Sequence, residues 1–461
     1  MKNSKTFLKE AEIKAFDSEH RKRINHNISK YNEKVPVGRL QFKDYEKARE
    51  QAAAIKRKVV NNLERYLLDF EKAIKKRGTE VLWAEDEKEA IDLIINILKV
   101  NDCRSVVKSK SMISEEIHLN EALEKYGIEP IETDLGEFIV QLNHEPPYHI
   151  VTPAMHKSKE DVARLFHEKL GTPEDYTPEQ LTLEARKVLR NKFINADAGI
   201  TGANFLIADA GAVLVTENEG NARMSTALPK IHIVLAGIER LLPSINDLSL
   251  FLPLLATAGT GQYITSYNTL FFGPRQPNEP DGPEKMFVIL LDNGRTNLLA
   301  NPDLKIALAC IRCGACLNAC PVYKNIGGHT YKSAYNGPIG SVITPYLKGF
   351  EDYIHLSYAT SLCGNCTAVC PVKIPIHELL LKNKQLYNEQ YNPNKLEKRI
   401  FRLSSAILGS RKIMNMGNQS LKNLFFRIAL KNTWNKRKAP LKFARKTFNQ
   451  QWKNNHHSSE K

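Results

Sequence analysis

Apolar residues recur with a helical period near the start of the chain. Between positions 44 and 76 they are spaced four residues apart, at Ile55, Val59, Leu63 and Leu67, in a run without Pro or Gly. This spacing predicts a long amphipathic helix. The first 40 residues are polar and charged, and we assign residues 1–70 to an N-terminal helical arm.

After Gly78 the pattern changes to short apolar runs that alternate with amphipathic stretches of helical length. Strands are predicted at 81–84, 105–107, 129–132, 212–215, 231–236 and 286–291, and helices at 86–98, 115–126, 157–170 and 178–196. Strands that alternate with helices are typical of βαβ units and a mostly parallel sheet. The predicted fold class is therefore α/β, with an α/β domain over residues 71–298.

From about residue 299 to 382 the strand pattern is lost, and seven of the eight cysteines fall in this segment. We expect short helices and turns there, without room for a large apolar core, so that the module is held together by what its cysteines bind. Residues 383–461 form a basic C-terminal region, with helices predicted at 396–408 and 421–430.

Charge separates the end of the chain from its body. The 461 residues carry a net charge of +15, yet Lys395 to Lys461 alone contain 17 basic and two acidic residues. The preceding 394 residues hold 49 of each sign, so the high isoelectric point does not indicate nucleic-acid binding. Basic amphipathic helices can lie on anionic membranes. Docking on an acidic partner subunit and a solvated end are the alternatives for this tail, whose apolar residues include Phe401, Leu424, Phe425, Phe426 and Trp434.

The chain starts with a polar segment and has no apolar run of about 20 residues, the length that a membrane-spanning helix needs. We therefore expect a cytoplasmic protein, which the tail could hold at the inner face of the membrane. Its composition, 42% hydrophobic and 25% charged, excludes a collagen-like or wholly disordered chain.

The first cysteine run has the spacing C-x2-C-x2-C-x3-C-P and comprises Cys310, Cys313, Cys316, Cys320 and Pro321. A cubane iron–sulfur cluster takes three thiolates from such a run, and in two-cluster ferredoxins the fourth cysteine binds the other cluster. Gly314 lets the backbone pass close to the cluster.

The second run, C-x2-C-x3-C-P, lacks one cysteine. Aligning the two Cys-Pro ends places Cys370 opposite Cys320 and Thr360 opposite Cys310. With the crossed ligand pattern, cluster 1 is predicted to be bound by Cys310, Cys313, Cys316 and Cys370, and cluster 2 by Cys320, Cys363 and Cys366. We predict two [4Fe-4S] clusters. Three alternatives stay open for the second: a [3Fe-4S] species, a non-cysteine fourth ligand such as the Thr360 hydroxyl or water, and an open iron position that a partner completes.

Zinc is the alternative metal, because C-x2-C pairs also form tetrahedral zinc sites. Two such sites would need eight ligands, and the paired ferredoxin spacing is not a zinc spacing. A zinc-stabilised binding protein would be colourless. The remaining cysteine, Cys103, is expected to be a small buried residue.

Polar residues follow the strand predicted at 212–215: Glu217, Asn218, Glu219, Asn221 and Arg223. Ligands of open α/β sheets bind beyond the carboxyl ends of strands, so a small anionic or carbonyl substrate could bind here. A solvated turn is the alternative. The Gly259-Thr-Gly261 sequence is too short to indicate a nucleotide site.

Four segments carry a family resemblance: Lys108-Ser-Lys-Ser-Met112-Ile-Ser-Glu-Glu, Glu132-Thr-Asp-Leu-Gly136-Glu, Gly199-Ile-Thr-Gly-Ala-Asn and Thr216-Glu-Asn-Glu-Gly-Asn-Ala-Arg. They resemble the LUD (lactate utilization) domain, and the resemblance implies that residues 71–298 form a Rossmann-like sheet. Together with the cysteine module and the basic tail, residues from about 60 onward are similar to the lactate utilization protein B family.

The resemblance implies a bacterial iron–sulfur protein of a three-component system that oxidises L-lactate to pyruvate. Its clusters would carry the electrons, and its partners would be the other components of the system. A tail that lies on the membrane would suit a carrier that passes electrons to a quinone-linked acceptor. The resemblance identifies no catalytic residue, so Glu217 and Glu219 are candidates only. A self-sufficient oxidoreductase, with the LUD domain as its catalytic site, is the alternative function.

Overall fold

A computed structural model of the chain describes residues 2–391, 395–415, 418–431, 435 and 438–457. Its internal contacts separate Met1–Tyr387 from Asn388–Lys461. The N-terminal arm is helical, as predicted, and contains α1 (Lys2–Phe16), α2 (Ser18–Arg39), α3 (Tyr45–Asn61) and α4 (Leu63–Lys75).

The prediction of one continuous helix between positions 44 and 76 is wrong. Asn62 leaves the helical conformation, with φ −133°, between α3 and α4. Ala52 of α3 packs with the cysteine module, whereas Phe70 of α4 packs against the sheets. Val59, near the end of α3, already belongs to the sheet core, so the break at Asn62 lies where the chain passes from one core to the other.

Within the part of the chain that the structure describes, ten strands form two sheets: β1 (Glu80–Ala84), β2 (Ser105–Lys108), β3 (Glu129–Glu132), β4 (Ala198–Thr201), β5 (Phe205–Ile207), β6 (Ala212–Glu217), β7 (Ile231–Gly237), β8 (Leu241–Leu242), β9 (Tyr267–Phe271) and β10 (Lys285–Leu291). The larger sheet has the order β1-β10-β7-β4-β2-β3, and all its pairs are parallel. This confirms the predicted α/β class. The smaller sheet, β8-β5-β6-β9, is mixed, because β6 runs antiparallel to β5 and β9.

Nine helices accompany the strands: α5 (Glu87–Val100), α6 (Met112–Glu116), α7 (Leu119–Lys125), α8 (Leu135–Leu142), α9 (Lys159–Leu170), α10 (Pro178–Asn195), α11 (Asn221–Ala227), α12 (Leu248–Thr260) and α13 (Arg295–Leu299). Asp86 caps α5 by accepting the backbone N–H of Glu89. The helix predicted at 115–126 is divided, because His118 has a left-handed conformation with φ 51°.

The cysteine module consists of short helices: α14 (Ala315–Ala319), α15 (Pro321–Ile326), α16 (Gly337–Lys348), α17 (Phe350–Tyr353) and α18 (Asn365–Ala368), followed by α19 (Ile376–Tyr391). Residues 301–381 are all described and contain no strand, as predicted.

The expectation that this module lacks an apolar core is wrong. Leu317 and Ile339 belong to a buried cluster that also contains Ile24 and Ile28 of α2 and Phe251 of α12. The N-terminal arm and α12 therefore supply the apolar surface that the short helices cannot provide alone.

The unit after residue 387 contains α20 (Lys395–Leu408), α21 (Arg411–Asn415), α22 (Gln419–Ala429) and α23 (Phe448–His457). Both predicted tail helices are present, and Trp434 lies outside the described residues. On α22, Leu421, Leu424, Phe425 and Ile428 are all more than half exposed. Nowhere in the described part of the chain is a helix both long enough and apolar enough to cross a bilayer.

Candidate metal centres and the adjoining cavity

The two cysteine runs begin with the same backbone turn. Arg312 and Leu362 are left-handed, with φ 59° and 54°. Gly314 and Gly364 follow two residues later with φ 82° and 78°, and both have ψ −8°. Glycine adopts this conformation without the steric cost of a side chain. The runs are thus structural repeats of one another, in the alignment that the Cys-Pro ends indicate.

Thr360 occupies in the second run the place that Cys310 has in the first. The backbone N–H of Arg312 donates to Cys310 Sγ at 3.4 Å. In the same position of the repeat, the N–H of Leu362 donates to Thr360 Oγ1 at 3.0 Å. A hydroxyl oxygen therefore stands where the first run has a sulfur.

The Cys-Pro ends also present backbone donors to sulfur. Tyr323 donates its N–H to Cys320 Sγ, and Ile374 donates its N–H to Cys370 Sγ, both at 3.4 Å. Hydrogen bonds of this kind favour the thiolate. Cys320 and Cys370 are therefore in similar environments at the ends of their runs.

The first set of cysteines surrounds one cavity. Cys310, Cys313, Cys316 and Cys370 all line it, together with apolar side chains that include Ile339. Burial raises the pKa of Cys370 to about 11. A metal that binds here must displace the thiol protons, and four converging sulfurs fit the ligand demand of a cubane cluster.

The second set is smaller and nearer to the surface. Burial, and then the neighbouring thiolates of Cys320 and Cys363, raise the pKa of Cys366, to about 11. Cys320 and Cys366 are buried, whereas Cys363 is exposed. All eight cysteines belong to the described residues, and the eighth, Cys103, is 6% exposed in the core of the parallel sheet, as expected for a small buried residue. The second set thus has three cysteines, and Thr360 holds the repeat position of a fourth.

A buried charge network lies beside the first set. Arg295 donates to Glu116 and to Glu239 at 2.7 Å, and Arg312 donates to Glu239 at 3.3 Å. Lys56 donates to the backbone carbonyls of Glu239 and Leu241 at 2.9 and 3.1 Å.

Three cations of this region, Lys56, Arg240 and Arg312, interact electrostatically with Cys310. Together with Arg295 they make four cations, and among the described residues their carboxylate neighbours are Glu116 and Glu239. The excess of positive charge suits a centre that carries negative charge on its thiolates and sulfides.

A second cavity, of about 570 Å³, adjoins the first. It opens at the carboxyl ends of β2, β3, β4 and β7, where an α/β sheet binds its ligands. Ile150, Arg312 and Cys313 line both cavities, so the two share a wall. We call this larger space the sheet-end cavity.

Four of the five polar residues noted after the strand predicted at 212–215 line the sheet-end cavity: Glu217, which ends β6, Asn218, Glu219 and Asn221. The fifth, Arg223, instead lies over the ring of Tyr267 at 5.3 Å. Both Glu217 oxygens accept backbone N–H groups at the start of α11, at 2.6 and 3.0 Å. Glu219 accepts the N–H of Leu135 at 3.0 Å. Burial raises the pKa of both carboxyl groups.

The pattern of the sequence did not indicate the cationic part of this site. Arg240 and Arg312 line the sheet-end cavity, and Lys110 pairs there with Asp134 at 3.0 Å. Arg240 comes shortly after a buried strand, which is a usable signal, but Arg312 is simply one of the spacer residues of the first cysteine run.

Gly259 has a structural role. A Cβ atom at this position would lie 2.2 Å from the carbonyl oxygen of Cys313. The glycine therefore allows α12 to pack directly against the first cysteine run. This packing accounts for the glycine at position 259, and no nucleotide site is needed to explain it.

Comparisons with known proteins match both parts of this arrangement. Residues 67–291 match the LUD domain family, and residues 306–374 match the 4Fe-4S dicluster domain family. The second match identifies the cysteine module as an iron–sulfur domain.

The chain is also similar to curated proteins over most of its length. It is 46% identical to lactate utilization protein B of Bacillus licheniformis over 78% of this chain and 76% of that protein. It is 47% identical to lactate utilization protein B of Anoxybacillus flavithermus over 75% and 74%. A crystal structure of a DUF162 family protein from Deinococcus radiodurans aligns with 50% of this chain and 98% of that chain, at 14% identity and a TM-score of 0.29.

Proposed function

Because this chain belongs to the lactate utilization protein B family, we propose that it is the iron–sulfur electron carrier of a system that oxidises L-lactate to pyruvate. Iron–sulfur clusters supply one-electron transfer. The proposal assigns Cys310, Cys313, Cys316 and Cys370 to cluster 1, and Cys320, Cys363 and Cys366 to cluster 2.

The difference in burial between the two cysteine sets supports this proposal most directly. The first set adjoins the sheet-end cavity through Cys313, whereas the second reaches the surface at the exposed Cys363. Electrons could therefore pass from the interior of the LUD domain to a partner at the surface. The buried cations beside Cys310 would stabilise the reduced, more negative state of cluster 1.

Reconstitution tests this role. The anaerobically purified protein is mixed with the other components of the system and L-lactate, and EPR records cluster reduction. We expect both clusters to be reduced only in the complete mixture, and C370S to block electron flow while C103S does not. Normal lactate oxidation by a mixture containing a cluster-free protein would contradict the proposal.

The sheet-end cavity favours one other function, a self-sufficient oxidoreductase that binds its substrate in the LUD domain. This alternative predicts that the pure protein reduces a dye with L-lactate as the only donor. A reaction that requires the other components distinguishes the carrier from the enzyme.

For the basic tail we propose a membrane contact on the cytoplasmic side, close to a quinone-linked acceptor. The exposed apolar residues of α22 recur at i, i+3, i+4 and i+7, and basic residues accompany them. Sedimentation with vesicles tests this contact: we expect binding to anionic phospholipid vesicles that salt weakens, and none to zwitterionic ones. Equal binding to both, or capture by an acidic component of the system instead, would contradict it.

A further inference from the structure

Two guanidinium groups of the sheet-end cavity carry hydrogen-bond donors without acceptors. Among the described residues, Arg240 Nη1, Arg312 Nε and Arg312 Nη1 are buried and have no hydrogen-bond partner. The Arg312 side chain is only 7% exposed. A buried donor that is left unpaired is costly, particularly when it is charged.

The neighbouring residues limit which hydrogen bonds these guanidinium groups can form within the protein. Glu239 accepts from Arg295 at 2.7 Å and from Arg312 Nη2 at 3.3 Å, so its two oxygens are already engaged. Arg312 also stacks on Tyr335, with its guanidinium carbon 4.3 Å from the ring centroid. Arg312 is therefore held in place while its remaining donors stay open.

The acidic groups that line the cavity do not neutralise these donors. Glu217 accepts two backbone N–H groups, and Asp134 accepts from the Lys110 ammonium and from the backbone N–H of Glu137. Lys110 also donates to the carbonyl of Val151, at 3.2 Å. Glu219 accepts the backbone N–H of Leu135. The acidic side chains of the wall are thus engaged elsewhere, and a ligand carboxylate would supply the acceptors that the two guanidiniums lack within the protein.

We propose that the sheet-end cavity binds a small carboxylate, with its carboxylate group on Arg240 and Arg312, next to cluster 1. The guanidinium fork matches the two oxygens of a carboxylate. Arg312 and Cys313 are neighbours in the wall between the sheet-end cavity and the cavity lined by the first cysteine set, which we call the cluster cavity. The ligand would therefore lie close to the cluster that Cys313 is predicted to bind. The choice of a 2-hydroxy or 2-oxo acid rests on the proposed function; the anion site itself does not.

This placement links ligand binding to the redox state of cluster 1. A bound anion adds negative charge beside a centre that becomes more negative on reduction, so the reduced form binds it more weakly and the midpoint potential falls. If reduction weakens binding tenfold, the potential falls by about 59 mV, because the couple transfers one electron. Reduction of the cluster would in turn favour release of the anion.

The test uses the anaerobic protein with both clusters in place. Isothermal titration measures the affinity for L-lactate, pyruvate and inorganic phosphate, and a redox titration followed by EPR measures the potential with and without the ligand. We expect L-lactate or pyruvate to bind more tightly than phosphate, and the potential of the buried cluster to fall when it binds.

Variants at Arg240 locate the site, since Arg240 lines the sheet-end cavity but not the cluster cavity. R240Q should weaken carboxylate binding about tenfold or more, and R240K, which keeps the charge but loses the fork, should weaken it less. The matched control is R275Q, because Arg275 is partly exposed and pairs with Glu284; it should bind as the parent does. R240K keeps the site testable if R240Q loses its clusters.

Three results would overturn the proposal: no carboxylate binding to the intact protein, binding that R240Q and R240K leave unchanged, or a preference for phosphate. None of these would affect the electron-carrier role if the clusters are present and reducible. Conversely, absence of iron and sulfide would contradict the carrier role and leave the anion site to be judged by titration alone.

Discussion

Replacing Glu239 by glutamine is expected to weaken the buried charge network that holds the first cysteine run. Glu239 accepts from Arg295 and Arg312, and its side chain is 1% exposed. Burial alone would raise its pKa, but Arg295, Arg312 and Arg240 outweigh this effect and lower the pKa from 4.5 to about 2. E239Q keeps the size of the side chain and removes its charge.

The size of the effect follows from this pKa. A shift of about 2.5 pH units corresponds to about 3 kcal/mol of folding free energy, similar to the cost of about 3–5 kcal/mol for breaking a buried ion pair. For a unit as large as Met1–Tyr387, 1 kcal/mol shifts the thermal midpoint by only about 1 °C, so the midpoint should fall by about 3–4 °C. Because the pKa is lowered in the folded state, the contribution is complete above about pH 4.5 and is lost as the pH falls towards 2. The difference between E239Q and the parent should therefore be constant from about pH 6 to 8.

Far-UV circular dichroism under anaerobic conditions, at one fixed heating rate, measures these midpoints. The matched control is E284Q, which removes a partly exposed carboxylate that pairs with Arg275 at 3.0 Å. Such pairs contribute about 0–1 kcal/mol, so its midpoint should shift by less than about 1 °C. If E239Q unfolds no earlier than E284Q, or if their difference changes between pH 6 and 8, the reasoning about this network is refuted.

Three further substitutions test the cysteine module. T360C should complete the second thiolate set and raise the iron content or sharpen a four-iron EPR signal, whereas T360V should not; an unchanged signal in T360C would count against the repeat alignment. C370S should remove about half of the iron by elemental analysis while C103S removes none, and equal losses would disprove the ligand sets. G259A should lower the thermal midpoint, because the new methyl group would lie 2.2 Å from the Cys313 oxygen and overpacking costs about 1–3 kcal/mol; an unshifted midpoint would show that α12 does not pack there.

The sequence pattern predicted five of the six strands of the parallel sheet, and β7 and β10 were the clearest because they are long and mostly apolar. It missed β4, β5, β8 and β9, of which β5 and β8 are only three and two residues long and carry too few positions for a period. The alignment of the two cysteine runs predicted the position of Thr360, since a local spacing determines a local turn.

Other features depend on tertiary packing and could not be read from spacing. The apolar core of the cysteine module is built with Ile24 and Phe251, which are distant in sequence. Arg240 and Arg312 can act together on a ligand only because the fold buries them beside the same cavity. In the sequence, Arg312 does not differ from a surface arginine, and the position of Arg240 shortly after a buried strand is the one signal that the pattern carries.

The central claim is that the cysteine module binds two iron–sulfur clusters, and analysis of anaerobically purified protein tests it most directly. Iron, acid-labile sulfide and zinc are measured per chain, together with the visible spectrum before and after dithionite. We predict about seven or eight irons with a similar amount of sulfide, and absorption that dithionite bleaches. A colourless protein that contains zinc and no labile sulfide would contradict the claim.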